Sequence, residues 1–388
     1  MKKIFRFPVA PAPRPRAFWL LLGFQLLGLV LLPINNAYGQ TSQPDNTPLL
    51  DVDIGLFDPN VPKDAAKHRS AGIQPLVRQA ESRYLPFVLL QTLNARGEWG
   101  VVRVRAMAGN QAPQNSPAGL AHNVTETEFS PLLITGVIEQ SDGEYLRLTI
   151  RAVDSTNREW LNQQYSAMAV EENYEQTKQD PFQGLFNRIA ADLQNVKATL
   201  SAAQIQAINE IAVLRYGARL SPATFTEYLT QDESGLLQLT RLPSKQDPML
   251  QRVLKIRQYE YLFIDTENDQ YQRLFTQMKN KYTLWRQYRR EMAIYLRQEE
   301  AAAKDQKYPF QRGTLPSMKH VYGDYVWFRT QEQYINELSQ GFNNEVLPTV
   351  LEVNDSLVTL SGDLDAKYEQ WQSILQSLFE LERGEIAN

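Results

Sequence analysis

The alternation of apolar and polar residues in the first half of the chain predicts five strands. Residues 51–57 carry Val52, Ile54 and Leu56 on one face, and residues 99–105 form a second strand-like run. Three further runs cover 132–139, 145–154 and 159–169, joined by the turn sequences Ser141-Asp142-Gly143 and Ser155-Thr156-Asn157. These three runs predict an antiparallel meander.

A helical pattern at residues 73–96 supplies the second layer. We expect it in two pieces, because Pro86 disrupts a helix interior but fits a first turn, and Gly97 is placed to cap the end. The middle strand of the meander alternates apolar residues with Arg147, Thr149 and Arg151, which indicates a sheet covered on one face. Residues 51–175 are therefore predicted to form a two-layer α/β sandwich, so that the fold class is α+β.

Proline-marked caps predict helix starts in the second half of the chain. Asp180-Pro181, Ser221-Pro222 and Asp247-Pro248 each place a cap residue before a proline, and Ser201 with Gln204 makes a capping box. We expect residues 176–388 to form a helical bundle.

The longest helical pattern covers residues 248–303, and no glycine or proline follows Pro248 within it. Eleven of fourteen positions at alternating four- and three-residue steps are apolar or aromatic, which predicts a long helix with coiled-coil packing. About 56 residues span roughly 84 Å. These positions are Leu250, Leu254, Arg257, Tyr261, Ile264, Asn268, Tyr271, Phe275, Met278, Tyr282, Trp285, Arg289, Met292 and Leu296.

Residues 318–383 are predicted to return along this helix. Their helical pattern pauses at Pro348, and a second apolar seam begins at Val353 and passes through Leu357, Leu360 and Trp371. We expect a long antiparallel helical hairpin made of residues 248–303 and 318–383, with a kink near Pro348.

Sixteen aromatic residues lie between Ile256 and Tyr334. They could form a surface for a glycan or an apolar peptide, but their coincidence with the seam favours a bundle core. The carboxylates Asp265, Glu267 and Asp269 and the basic cluster Arg286, Arg289 and Arg290 are interpreted as solvated helix surface.

The amino terminus resembles an export signal. Basic residues precede an apolar run at 17–32, and Ala37-Tyr38-Gly39 fits a signal peptidase, with cleavage before Gln40. The run of 16 residues is shorter than the roughly 20 that span a bilayer, yet an uncleaved anchor in the inner membrane stays possible. We predict a signal peptide at 1–39 and a linker at 40–50.

Composition narrows the compartment and the partners. The 388 residues include no cysteine, which excludes disulfides, thiolate metal sites and lipidation at a cysteine. An exported chain without cysteine favours the bacterial envelope. Removal of residues 1–39 leaves 35 Lys and Arg against 44 Asp and Glu, a formal charge of −9, which argues against nucleic acid as a partner.

The segments YLPFVLLQTLNARGEWGVVRV and LLITGVIEQSDGEYLRLTIRAVD, in the order strand, helix, strand, meander, helix, resemble the α/β module of the curli-secretion lipoprotein family. The amino-terminal domain of the Tol-system translocation protein and certain flagellar outer-membrane accessory proteins are similar. The resemblance covers residues 50–200 and implies an outer-membrane-associated place in the Gram-negative envelope. It transfers no functional residue to this chain.

No residue is predicted to be catalytic, cofactor-binding or metal-binding. His68, His122 and His320 stand outside zinc or di-iron motifs, and no phosphate-binding or nucleophile-elbow sequence occurs. We expect a non-catalytic periplasmic interaction or scaffold protein that contacts envelope proteins or itself through the polar face of the meander and the aromatic far half of the hairpin. The alternatives are a module that senses a cell-wall fragment in the cleft between the two domains, and an envelope hydrolase.

Overall fold

The computed structural model describes residues 48–64, 73–106, 130–175, 179–305, 348–354 and 356–383, which all lie in one compact unit. These residues form a mixed α/β structure with seven helices, a mixed five-stranded sheet and two small β-hairpins. The predicted signal at 1–39 lies outside the described residues. So does the predicted linker, apart from residues 48–50.

The large sheet contains all five predicted strands: β1 (Val52–Gly55), β2 (Val102–Arg105), β3 (Leu132–Ser141), β4 (Tyr145–Asp154) and β5 (Glu159–Met168). Their order is β2-β1-β3-β4-β5, with β1 parallel to β2 and β3 and with β3, β4 and β5 antiparallel. The predicted meander is therefore confirmed.

Helix α1 (Pro75–Arg96) is one uninterrupted helix, so the prediction of two pieces is wrong. Pro86 lies inside it and removes the N–H that would bond the carbonyl of Ser82. That carbonyl instead accepts a hydrogen bond of 2.8 Å from the backbone N–H of Phe57, just after β1. A distant donor thus compensates for the proline. Gly97 caps the helix in the left-handed conformation, as predicted.

Two helices cover the apolar face of the sheet. The prediction named the helix at 73–96 alone, but α3 (Gln183–Ala198) packs beside α1 and lies against β5. Leu146, Leu148 and Ile150 of β4 are fully buried beneath them, while Arg147 and Arg151 are exposed. The predicted difference between the two faces of β4 is confirmed.

Besides α3, the described part of the chain between β5 and the long helix forms five further elements and a 3-10 turn. They are α2 (Glu171–Glu175), α4 (Ala202–Leu220), α5 (Pro222–Phe225) with a 3-10 turn at Thr226–Tyr228, β6 (Leu229–Gln231) and β7 (Leu237–Leu239). The predicted capping box is present, since the side chain of Ser201 accepts from the backbone of Gln204 and the Gln204 side chain accepts from the Ser201 N–H.

Helix α6 (Pro248–Asp305) has 58 residues and a length of about 87 Å. It begins at the predicted proline, and the middle positions of its seam are buried. These are Tyr271, Phe275, Met278, Tyr282 and Trp285. The long helix and the burial of the middle of its seam are confirmed.

The partner of this buried stripe differs from the prediction. Tyr84 of α1 stacks on Phe275 with 4.7 Å between ring centroids, and Phe87 lies 4.6 Å from Tyr271. The middle of α6 therefore packs on the α/β module, in one hydrophobic core with the sheet. A heptad pattern sets which side of a helix is buried, and α1 offers an apolar surface as suitable as a second helix of a hairpin.

The predicted return segment is interrupted by strands. Residues 318–344 lie outside the described residues, and residues 349–360 form a hairpin of β8 (Thr349–Val353) and β9 (Ser356–Leu360). Thr349, Leu351 and Val353 are buried while the residues between them are exposed, a period of two that fits a strand better than a helix. The helical interpretation of Val353, Leu357 and Leu360 is therefore wrong.

Helix α7 (Leu364–Arg383) follows and packs antiparallel against the first part of α6. Lys255 pairs with Glu382 near the end of α7, whereas Glu267 pairs with Lys367 near its start. A helix pair of about 20 residues is thus present, and the long hairpin of 248–303 with 318–383 is not confirmed. The predicted boundary between domains near residue 175 stays a prediction.

None of the helices described here combines the length and apolar character that a bilayer span requires.

Candidate functional site

The outer face of the meander is a polar sheet surface that the described residues leave uncovered. Strand pairing places Thr135, Arg151 and Asn162 in one row, and Val137, Thr149 and Gln164 in the next. A third row contains Gln140, Arg147 and Ser166. We call these nine residues the outer face.

Hydrogen bonds hold part of the outer face in place. Thr149 donates to Glu139 at 2.9 Å, and Arg151 pairs with Glu159 at 2.9 Å with both side chains about half exposed. Exposed ion pairs of this kind contribute little to stability. These side chains are therefore available for exchange with a partner at little cost to the fold.

One end of the outer face is apolar. Tyr145 and Met168 are paired across β4 and β5 and are 36% and 55% exposed, and Val170 beside them is 40% exposed. Arg297 of α6 borders this end with a two-pronged hydrogen bond to Glu144, at 2.6 and 2.8 Å. An apolar patch beside a polar rim is the usual composition of a protein-binding surface.

The predicted aromatic surface on the far half of the hairpin is in large part a core. Tyr271, Tyr282 and Trp285 are buried against α1, which confirms the core interpretation for them. Tyr295 is 41% exposed. Tyr288 is partly buried, and Tyr322, Tyr325, Trp327 and Phe328 lie outside the described residues.

The first buried charge cluster joins α1, the β3–β4 turn and α6. Glu81 forms an ion pair with Arg78 at 3.1 Å and accepts hydrogen bonds from Ser141, at 2.6 Å, and from Tyr282. Burial raises the pKa of the Glu81 carboxyl even though Arg78 and these donors lower it. This carboxylate lies at an interface between elements and lines no described cavity.

The second cluster corrects the interpretation of Arg286, Arg289 and Arg290 as solvated. Arg286 is fully buried and holds Asp180 through two hydrogen bonds, at 2.5 and 3.3 Å, while its guanidinium lies 4.3 Å from the ring centroid of Tyr282. Asp180 raises the pKa of Arg286 further above its usual value against the opposing effect of burial. Arg290 donates to the carbonyl of Ala169 at 3.1 Å. The cluster fixes α6 to the segment before α3.

The third cluster corrects the interpretation of Glu267 as a solvated carboxylate. Glu267 is buried and pairs with Lys367 of α7 at 3.2 Å, while Thr349 of β8 donates to it and Arg83 of α1 lies 3.8 Å away. Asp265 accepts two hydrogen bonds from Arg103 of β2, at 2.7 and 3.2 Å. Of the three, Asp269 alone is exposed without a described ion pair.

A sequence pattern could not have identified these clusters. Glu267 and Lys367 stand 100 residues apart, and Arg286 and Asp180 stand 106 apart. The sequence gives one signal of a buried charge, which is a charged residue next to the apolar seam of a long helix. Arg286 follows the buried Trp285, and Glu267 lies one turn before the buried Tyr271. The two tight turns predicted at Ser141-Asp142-Gly143 and Ser155-Thr156-Asn157 join the strands of the meander. In the first turn, Asp142 accepts hydrogen bonds from the backbone N–H groups of Glu144 and Tyr145.

The acidic residues of the described part of the chain were also compared with the requirements of a metal site. The Asp and Glu side chains of this part include no group of three that could hold a metal ion. All three histidines, His68, His122 and His320, lie outside the described residues. The buried carboxylates named above act as joints between elements.

Comparison with family models, curated proteins and solved structures finds no match to this chain.

Proposed function

We propose that the protein is a non-catalytic interaction protein of the bacterial cell envelope, in which the outer face of the meander binds a protein partner or a second copy of the chain. The uncovered outer face carries this proposal. Sheets of this kind bury one face on a core and leave the other to water or to a partner. Here the second face combines ordered polar rows with an apolar end at Tyr145 and Met168.

The rigid attachment of α6 supports a scaffold role. Phe275 stacks on Tyr84 and Glu267 lies 3.8 Å from Arg83, both on α1, and the buried Arg286 pairs with Asp180 just before α3. A helix of about 87 Å that is fixed at its middle can set a distance between two bound partners. We further propose that residues 318–344 form the second helix of the predicted hairpin, beside the second half of α6.

The envelope location rests on the sequence. The signal-like residues 1–39, the absence of cysteine and the resemblance to envelope α/β modules all favour it. The element order on which the resemblance depends, from β1 through α1 and the meander to the following helices, is the order of the described elements. An inner-membrane tether through residues 17–32 is the alternative mode of retention.

Site-specific photocrosslinking in bacteria tests the proposal. A benzoylphenylalanine placed at Thr149, Gln164 or Ser166 on the outer face is expected to yield one common crosslinked species, either an envelope protein or a dimer of the chain. The same substitution at Gln277, an exposed residue of α6 away from the sheet, is the matched control.

The outcomes separate clearly. A species shared by the three outer-face positions and absent from Gln277 supports the proposal. Recovery of monomer alone at all three positions, or equal adducts at Gln277, contradicts it.

A further inference from the structure

A small cavity lies where the β4–β5 turn, helix α4 and the β6–β7 hairpin meet. Its volume is about 220 Å³. The apolar part of its wall comes from one side of α4 and from the hairpin, through Ile208, Ile211, Leu236, Leu237 and Leu239. The proposed function makes no use of this cavity.

Hydrogen bonds next to the cavity join the three elements that line it. Ser155 in the turn donates to the carbonyl of Ile208 at 2.5 Å, and the buried Arg215 donates to the carbonyl of Ser155 and to the side chain of Asn157, each at 2.8 Å. The backbone N–H of Leu237 donates to the carbonyl of Thr156 at 2.9 Å, which ties the hairpin to the turn. The walls are therefore held in position without a ligand.

The lining also contains three neutral polar residues, Thr156, Gln204 and Gln238, and one residue of each charge, Arg158 and Asp232. Arg158 is half-buried, and its guanidinium forms no ion pair or hydrogen bond with another described residue. A half-buried guanidinium retains five donors that favour a carboxylate. Its free hydrogen-bonding capacity in the cavity points to an anionic group on the ligand.

Asp232 supplies the opposite charge. Its Oδ1 accepts from the N–H groups of Ser234 and Leu236 and from the Ser234 hydroxyl, and its Oδ2 accepts from Gln238 at 3.1 Å. The Ser234 hydrogen bond is the largest of the effects that lower the Asp232 pKa. Oδ2 retains capacity for a further donor.

Size sets the last limit on the ligand. A cavity of roughly 150 Å³ holds one benzene molecule, and pockets for drug-sized ligands measure roughly 300–1,000 Å³. The cavity described here therefore suits a molecule somewhat larger than benzene.

We propose that this cavity binds a free aliphatic α-amino acid such as leucine, with its carboxylate at Arg158, its ammonium group at Asp232 and its side chain against Ile208, Ile211 and the hairpin leucines. This ligand matches the two charges, the apolar wall and the volume together. The cavity adjoins the β4–β5 turn, at the opposite end of β4 from Tyr145 and Arg147 of the outer face.

Isothermal titration calorimetry of the full chain tests this site with four probes: L-leucine, glycine, 4-methylpentanoate and isoamylamine. Leucine is expected to bind at least tenfold more tightly than each of the others, because glycine lacks the side chain and the other two each lack one charged group. Absence of leucine binding at millimolar concentration overturns the proposal, as does equal binding of glycine.

Variants locate the binding. Arg158→Met is expected to weaken leucine binding at least tenfold, and Arg158→Lys is expected to retain part of it. The control Arg147→Met removes an exposed arginine from the outer face and should leave leucine binding unchanged. Ala207→Phe fills the cavity from α4 and should abolish binding, while unchanged circular dichroism excludes unfolding as the cause. Leucine affinity that is unaltered in both Arg158→Met and Ala207→Phe contradicts the assignment of this cavity.

Discussion

Helix α6 uses one regular apolar stripe against two different partners. Its first part packs on α7, where Phe263 lies 5.8 Å from the ring of Trp371 and 6.1 Å from that of Tyr368. Its middle part packs on α1, through Tyr271 and Phe275. The same heptad spacing serves a helix pair in one region and an α/β module in the other.

The polar residues beside the stripe distinguish the two regions. In the first part, Glu260 accepts from Tyr368 at 2.8 Å and from Gln372 at 3.0 Å, so that α7 supplies the donors. In the middle part, Arg286 pairs with Asp180 and the tip of the β3–β4 turn lies against the α6 backbone. The apolar periodicity therefore determines which side of α6 is buried, while a few buried charges and Gly143 determine which element packs against each part of the helix.

The largest effect is expected from loss of the buried ion pair in the middle part. Asp180→Asn keeps an acceptor for the Phe182 N–H but removes the charge opposite Arg286, whose side chain is fully buried. Removing one partner of a buried pair costs about 3–5 kcal/mol, so we expect a loss of about 4 kcal/mol in the free energy of unfolding, measured by urea denaturation.

Glu159→Ala is the control for this variant. It breaks the Arg151–Glu159 pair on the outer face, where both side chains are almost half exposed, and it should cost at most about 1 kcal/mol. Equal losses in the two variants would show that burial of the Asp180–Arg286 pair is irrelevant to stability.

The next effect concerns the glycine at the tip of the β3–β4 turn. Gly143 has a φ of 88°, and a Cβ there would collide with the carbonyl oxygen of Arg286 and lie 3.1 Å from the backbone nitrogen of Arg290. Gly143→Ala therefore adds steric displacement of α6 to the cost of a left-handed conformation, about 3 kcal/mol together.

Gly97→Ala is the matched control for Gly143→Ala. Gly97 has a φ of 67° but open space around its Cβ position, so its substitution should cost about 1 kcal/mol from the backbone conformation alone. The comparison is made on thermal unfolding midpoints. Similar shifts in both variants would contradict the close approach of the turn to α6.

Local sequence patterns predicted the structure correctly where neighbouring residues determine it, and failed where a residue distant along the chain determines it. The faces of β4, the Ser201 capping box and the start of α6 at Pro248 each depend on a few neighbouring residues, and each is present. The continuity of α1 through Pro86 depends on the Phe57 N–H, which sits almost thirty residues away along the chain. Tertiary contacts override local preference at such positions.

The candidate surfaces divide in the same way. The outer face followed directly from the alternation of Arg147, Thr149 and Arg151 with apolar residues. The cavity at Arg158 could not be predicted, because its walls come from the β4–β5 turn, α4 and the β6–β7 hairpin. The burial of Glu267 and Arg286 likewise depends on Lys367 and Asp180, whose positions no periodicity reveals.

The smallest effect is expected from Glu81 of α1, whose carboxylate accepts a hydrogen bond from Tyr282 in the middle part of α6. Burial raises its pKa above the ordinary value of 4.5, so the folded protein holds this proton more tightly than the unfolded chain does. The free energy of unfolding therefore falls as the pH rises from that ordinary value through the raised pKa.

Glu81→Gln stays uncharged, so its stability relative to the unsubstituted protein should be greater at about pH 8 than at about pH 4.5. Tyr282→Phe removes a donor that lowers this pKa and should extend the fall to higher pH. Urea denaturation across this range measures both differences, and parallel stability curves for Glu81→Gln and the unsubstituted protein would refute a raised pKa at the joint between α1 and α6.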